Sequence, residues 1–320
     1  MPLVGGAVLP HGALILDPDR PEMAGELSES ARRLHKGCIE AGRAIRATRP
    51  DVILLYTPHG LIGEGADMFL YTNASASGSC EWMSGWAEHR VSVRCDADAA
   101  LSLLAHLKAG GHSAAGLTAF SGYDAPLRWG ECVPLSFLGA ALADGARVVV
   151  LSHGPAGTVD RAALTRGRWE ETCAMGAAVG EWALAQQKRI FFLVSGDLAH
   201  VHGNSRAPSL PDGAPDPRYL NAKYPLAHAS AVPFETCVKK WAGSRVSELG
   251  RDVMKSGALS TALEYVEDAM CCGIEGFAML QDALHCTAGN FEGRVYAHEV
   301  RVSSVHCGVS SAQSAVGSGH

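Results

Sequence analysis

Three histidines follow apolar, strand-like runs: His11 in Ala7-Val8-Leu9-Pro10-His11-Gly12, His59 in Ile53-Leu54-Leu55-Tyr56-Thr57-Pro58-His59-Gly60, and His200 in Leu193-Val194-Ser195-Gly196-Asp197-Leu198-Ala199-His200. Open α/β sheets gather ligand-binding groups at the carboxyl ends of their strands, so residues far apart in sequence can meet there. Two imidazoles and a carboxylate on one face of a metal leave positions open for substrate and dioxygen, the arrangement of non-haem Fe(II) oxygenases. His11 and His59 each sit in a Pro-His-Gly turn closing an apolar run. Either turn alone reads as a histidine hydrogen-bonded to backbone, but the repetition points to a metal-binding pair. His200 is of a different kind. Gly196 permits a sharp turn, Asp197 can accept an imidazole or backbone N–H, and an imidazole titrating near neutral pH can serve as general acid or base. Asp197 as a helix N-cap, with His200 in the first helical turn, is the plainer alternative, and both can hold at once.

These groups need a scaffold of alternating strands and helices. Leu3–Leu9 reads as a strand, and 21–49 as a helix with Ala31, Leu34, Cys38, Ala41 and Ile45 at intervals of three and four before Pro50. The next apolar run ends in His59. Further strands are expected at 69–72, 91–94, 147–151, 190–195 and 294–302, and helices at 97–108, from Pro134 to Leu142, at 169–186 and within 234–286. This is an α/β pattern. Residues 203–233 hold six prolines and little periodicity, which suggests a long surface loop able to act as a lid beside His200. The Ser- and Gly-rich stretch 303–320 reads as a flexible tail.

Composition excludes several function classes. With 320 residues and 47% hydrophobic content the chain can bury a sizeable core, while 27 Lys plus Arg against 33 Asp plus Glu give a net charge of -6 and no basic stripe for nucleic acid or acidic membrane. The ten cysteines show no CxxC spacing, which suggests reduced thiols in a cytoplasmic protein without structural zinc. No apolar run is long enough to span a membrane. Lesser candidates are His153 in Leu151-Ser152-His153-Gly154, able to line the same cleft, and His35, His106, His112 and His285, which read as surface groups.

Five segments in order carry a family likeness: Pro10-His11-Gly12, Thr57-Pro58-His59, Trp129-Gly130-Glu131-Cys132-Val133-Pro134-Leu135, Gly196-Asp197-Leu198-Ala199-His200, and Cys272-Gly273-Ile274-Glu275-Gly276. With them the chain resembles the class III extradiol dioxygenases, in particular the catalytic subunit typified by protocatechuate 4,5-dioxygenase, and the related Memo-like proteins. The resemblance implies a three-layer α/β/α domain over 1–302 with a central, mostly parallel or mixed sheet. It implies Fe(II), or another divalent metal, held by His11, His59 and Glu275, with Glu267, Asp268 and Cys272 as rival third ligands. Within that likeness His200, beside Asp197, is the acid-base group that acts on a small aromatic substrate in a reaction with O2. Extradiol relatives often form homodimers or pair with a small second subunit. One departure stands out: the family's Asp-His-Gly is Arg128-Trp129-Gly130 here. An indole has a single N–H donor and cannot shuttle protons, so a Memo-like protein that binds metal or peptide without ring cleavage is the rival reading.

Overall fold

Side-chain alternation along fully buried strands decides the layering. In strand β2 (Val52–Thr57), Val52, Leu54 and Tyr56 enter one core while Ile53 and Leu55 enter the other. A strand apolar on both faces must be covered on both. The computed structural model describes residues 2–20, 26–81, 85–153, 166–196, 273–287, 291–299 and 307–314.

β1 (Leu3–Leu9), β9 (Ile190–Ser195), β2 and β8 (Arg147–His153) lie side by side in that order, each parallel to its neighbour. β3 (Met68–Tyr71) adds antiparallel to β8, and β6 (Ala114–Leu117) pairs parallel with β3 at one edge. At the other edge β11 (Cys307–Ser314) runs antiparallel to β1, followed by β10 (Phe291–Glu299). The result is a mixed, eight-stranded sheet.

Helices α1 (Glu26–Ala47), α3 (Trp129–Ser136) and α4 (Gly139–Ala143) share one core. α2 (Ala97–Ala109), α5 (Arg166–Leu184) and α6 (Ile274–Cys286) share the other. This is the three-layer α/β/α arrangement expected from the sequence. α5 and α6 cross at backbone contact: a Cβ on Gly176 would fall 2.6 Å from Met279 Cα, and one on Gly180 2.6 Å from the Ala283 carbonyl oxygen.

Three expectations need correction. The helix expected from Pro134 begins at Trp129, because the Glu131 carboxylate reaches back to accept the Arg128 N–H at 2.7 Å and so fixes an earlier start. Within the tail expected from 303, residues 307–314 form β11, whose backbone ladder with β1 and β10 asks no bulk of its Ser and Gly side chains. His35 is no surface group: its ring is half-buried against Phe137, and Nδ1 lies 2.7 Å from the Ile15 carbonyl oxygen. A second, three-stranded sheet of β5 (Arg90–Arg94), β4 (Ser75–Ser79) and β7 (Ala125–Leu127) was not foreseen, because Ser75-Ala76-Ser77-Gly78-Ser79 carries no apolar bulk to signal a strand. The 203–233 segment lies outside the described residues.

Candidate metal centre

The four parallel strands end on the same side of the sheet, so the residues just beyond them gather there. β9 separates β1 from β2, with Leu9 opposite Ser195 and Tyr56 opposite Val194. His11 and His59 therefore flank the end of β9, at a point where the strand order departs from the chain order. Ligands bind at such a switch. The two imidazoles meet edge to face, with ring centroids 4.6 Å apart and planes at 89°. His11 is buried, and His59 is half-buried.

Each histidine is held from behind. His11 Nδ1 lies 3.2 Å from Ser195 Oγ, and the Ser195 hydroxyl donates to the Gly130 carbonyl at 2.5 Å. A Cβ on Gly130 would lie 2.7 Å from His59 Cβ, so only glycine lets α3 approach the second imidazole this closely. Thr57 Oγ1 accepts the His59 backbone N–H at 3.2 Å and fixes the turn. The Trp129 ring lies over His59 at 5.3 Å with a tilt of 30°, and the Arg128 guanidinium lies 5.0 Å over that indole. The order from solvent inward is Arg128, Trp129, His59, His11.

Behind His59 lies a buried polar pocket that sequence reading did not anticipate. The point a Cβ of Gly60 would occupy is 2.6 Å from Glu131 Oε1, 2.6 Å from Ser152 Oγ and 2.7 Å from the Tyr71 hydroxyl oxygen. That hydroxyl accepts the Leu61 N–H at 2.6 Å. Glu131 is fully buried, and desolvation pushes its carboxyl up to about 7, against the lowering effect of the Arg128 N–H it accepts. Oε1 has no hydrogen-bond partner among the described residues. A buried acid of this kind is held in its neutral form at mildly acidic pH. His153, at the end of β8, is buried with Nδ1 3.1 Å from the Tyr56 hydroxyl.

Glu275 stands in the first turn of α6 and is buried. The preceding Gly273 adopts φ +107, and a Cβ there would fall 2.9 Å from the Ser195 carbonyl oxygen. A Cβ on Gly276 would strike the Tyr56 ring at 2.4 Å, so the start of α6 rests directly on the ends of β9 and β2. The carboxylate is thus carried on an element that touches Ser195, itself in contact with His11. Even so, among the described residues no three His, Cys, Asp or Glu side chains are gathered closely enough to hold a metal. The histidine pair is brought together; Glu275 is brought to the same end of the sheet. His200, Asp197, Glu267, Asp268 and Cys272 lie outside the described residues.

The profile of the family described as the catalytic LigB subunit of aromatic ring-opening dioxygenase matches residues 5–250. The chain belongs to this family. No curated protein matches it. Among solved structures, the LigB-family chain is similar to the uncharacterized protein JW3007 from Escherichia coli K12, with a TM-score of 0.53 and 13% identity over 96% of this chain and 99% of that one. At that identity the likeness concerns the fold. The paired imidazoles of His11 and His59 are donors of a type that suits a divalent first-row metal. No described helix is long and apolar enough to cross a membrane.

Proposed function

We propose that this LigB-family chain is a non-haem Fe(II)-dependent extradiol dioxygenase, opening a catechol- or aminophenol-like ring with O2 at a bond next to the vicinal oxygen or nitrogen substituents. The observation that carries this reading is the edge-to-face pair of His11 and His59 at the carboxyl ends of strands on either side of β9. His11 and His59 are the pair that would hold the iron, with Glu275, carried to the same end of the sheet, as the third ligand once it moves in to the pair. Bound there, the metal would supply orientation and charge stabilisation for substrate and dioxygen together.

The protein's own groups have separate tasks. Glu275, in the first turn of its helix, contributes the negative charge that offsets a divalent cation. His200 removes a phenolic proton from the substrate and returns a proton as the ring opens, with Asp197 fixing the imidazole tautomer. Trp129 covers His59 and keeps water from that side, but an indole moves no proton. Proton transfer therefore falls to His200, with no imidazole at position 129 to share it. A cytoplasmic setting, and assembly as a homodimer or with a small second subunit, fit this reading.

The same tryptophan favours a second reading, a Memo-like protein that binds metal or peptide without cleaving rings. Anaerobic reconstitution with Fe(II), followed by oxygen uptake against a panel of catechols and aminophenols, separates the two. Uptake with formation of a coloured semialdehyde, lost in His59→Ala and His200→Ala, is the expected result. Iron binding with no uptake on any panel member would instead favour the Memo-like reading.

A further inference from the structure

The hydrogen-bond partners around His11 decide which of its nitrogens carries the proton. Pro134 stands inside α3. It has no N–H, so it cannot make the helical bond to the carbonyl four residues earlier, which belongs to Gly130. That carbonyl turns to another donor and accepts the Ser195 hydroxyl proton at 2.5 Å in a buried setting. A carbonyl cannot donate, so the one proton of Ser195 is committed there. Ser195 Oγ can then only accept from His11 Nδ1, 3.2 Å away. Nδ1 carries the hydrogen, and a neutral imidazole in that tautomer keeps its lone pair on Nε2.

We propose that Ser195 is a positioning residue: through the carbonyl that Pro134 leaves open, it holds His11 in the Nδ1–H tautomer and presents Nε2 as the metal-ligating nitrogen. The metal half rests on the reading of His11 as a ligand; the tautomer half does not. Three elements meet in this relay, β1 through His11, β9 through Ser195 and α3 through Gly130. Gly130 also packs against His59 Cβ, so one residue supports both imidazoles. An acceptor on the far nitrogen fixes ring orientation and raises the basicity of the ligating one, and losing such a partner typically lowers metal affinity by about 10–100-fold.

The test uses the full chain labelled with 15N-histidine, freed of metal by chelation and held at a pH where imidazole is neutral, with His11 assigned by its absence in His11→Asn. A pyrrole-type Nδ1 and a pyridine-type Nε2 are expected at His11, kept in Ser195→Thr and lost in Ser195→Ala. Titration with Co(II) should show affinity weakened by about 10–100-fold in Ser195→Ala and within a few-fold of wild type in Ser195→Thr. A wild-type His11 protonated on Nε2 overturns the proposal, and this measurement needs no Ser195 variant to fold. An unchanged tautomer in Ser195→Ala overturns it as well, and so does unchanged cobalt affinity there when His11→Asn does weaken cobalt. Wild-type cobalt affinity in His11→Asn, with the tautomer as expected, would instead remove the ligand reading and leave the relay standing.

Discussion

Glu131→Gln should change how stability depends on pH. Burial moves this carboxyl from 4.5 to about 7, and a displacement of that size is worth ~3 kcal/mol between its two protonation states. The folded protein binds the proton more tightly than the unfolded chain does. The contribution is therefore complete below about pH 4.5 and is lost as pH rises through about 7. Glutamine keeps an oxygen for the Arg128 N–H and cannot ionise, so it copies the neutral acid. Urea unfolding of metal-free protein should place wild type and variant within about 1 kcal/mol of each other at pH 5. At pH 8.5 the variant should be the more stable by about 2–3 kcal/mol, relative to that starting difference. Asp282, also pushed up by burial, to about 6, acts in the same direction but is common to both proteins and cancels. A wild-type-minus-variant difference that does not move between the two pH values would refute the reasoning, because it would mean that Glu131 is ionised and paired in the fold.

Three further outcomes follow from the geometry. Trp129→His replaces the indole over His59 with a group able to transfer protons, and oxygen uptake on catechols by the iron-loaded enzyme should rise at least about tenfold. Gly273→Ala places a Cβ 2.9 Å from the Ser195 carbonyl at φ +107; it should cost ~1–3 kcal/mol in thermal unfolding and weaken metal binding by displacing Glu275. Arg128 puts an exposed cation near the His59 side of the site, so Arg128→Gln should raise KM for carboxylated catechols more than for catechol, and added salt should narrow the wild-type preference.

The convergence of His11 and His59 was legible in the sequence because its signals are local. His11 and His59 each end an apolar run, and β1 and β9 were read to the residue because seven and six consecutive buried positions leave little else for such runs to be. The supports were not legible, because they act across the fold. Ser195 is the one polar residue in Ile190-Phe191-Phe192-Leu193-Val194-Ser195, a signal visible in principle, but its partners lie 184 and 65 positions away. Glu131 stood in the sequence only as one member of the segment 129–135. Only its complete burial behind Gly60 turns it into a neutral acid.

The spacing of Gly130 and Pro134 has a physical reason that sequence pattern alone does not supply. Four residues is the helix's own hydrogen-bond interval, so a proline at 134 opens the carbonyl at 130 and no other. That carbonyl belongs to the residue whose missing side chain lets α3 reach His59, and the opened acceptor is filled by the serine that borders His11. Any residue but glycine at 130 would push α3 away from His59 and carry the carbonyl away from Ser195. A residue with an N–H at 134 would give that carbonyl a competing donor. The histidines could in principle be set on many scaffolds; their mutual orientation depends on this glycine and this proline four positions apart.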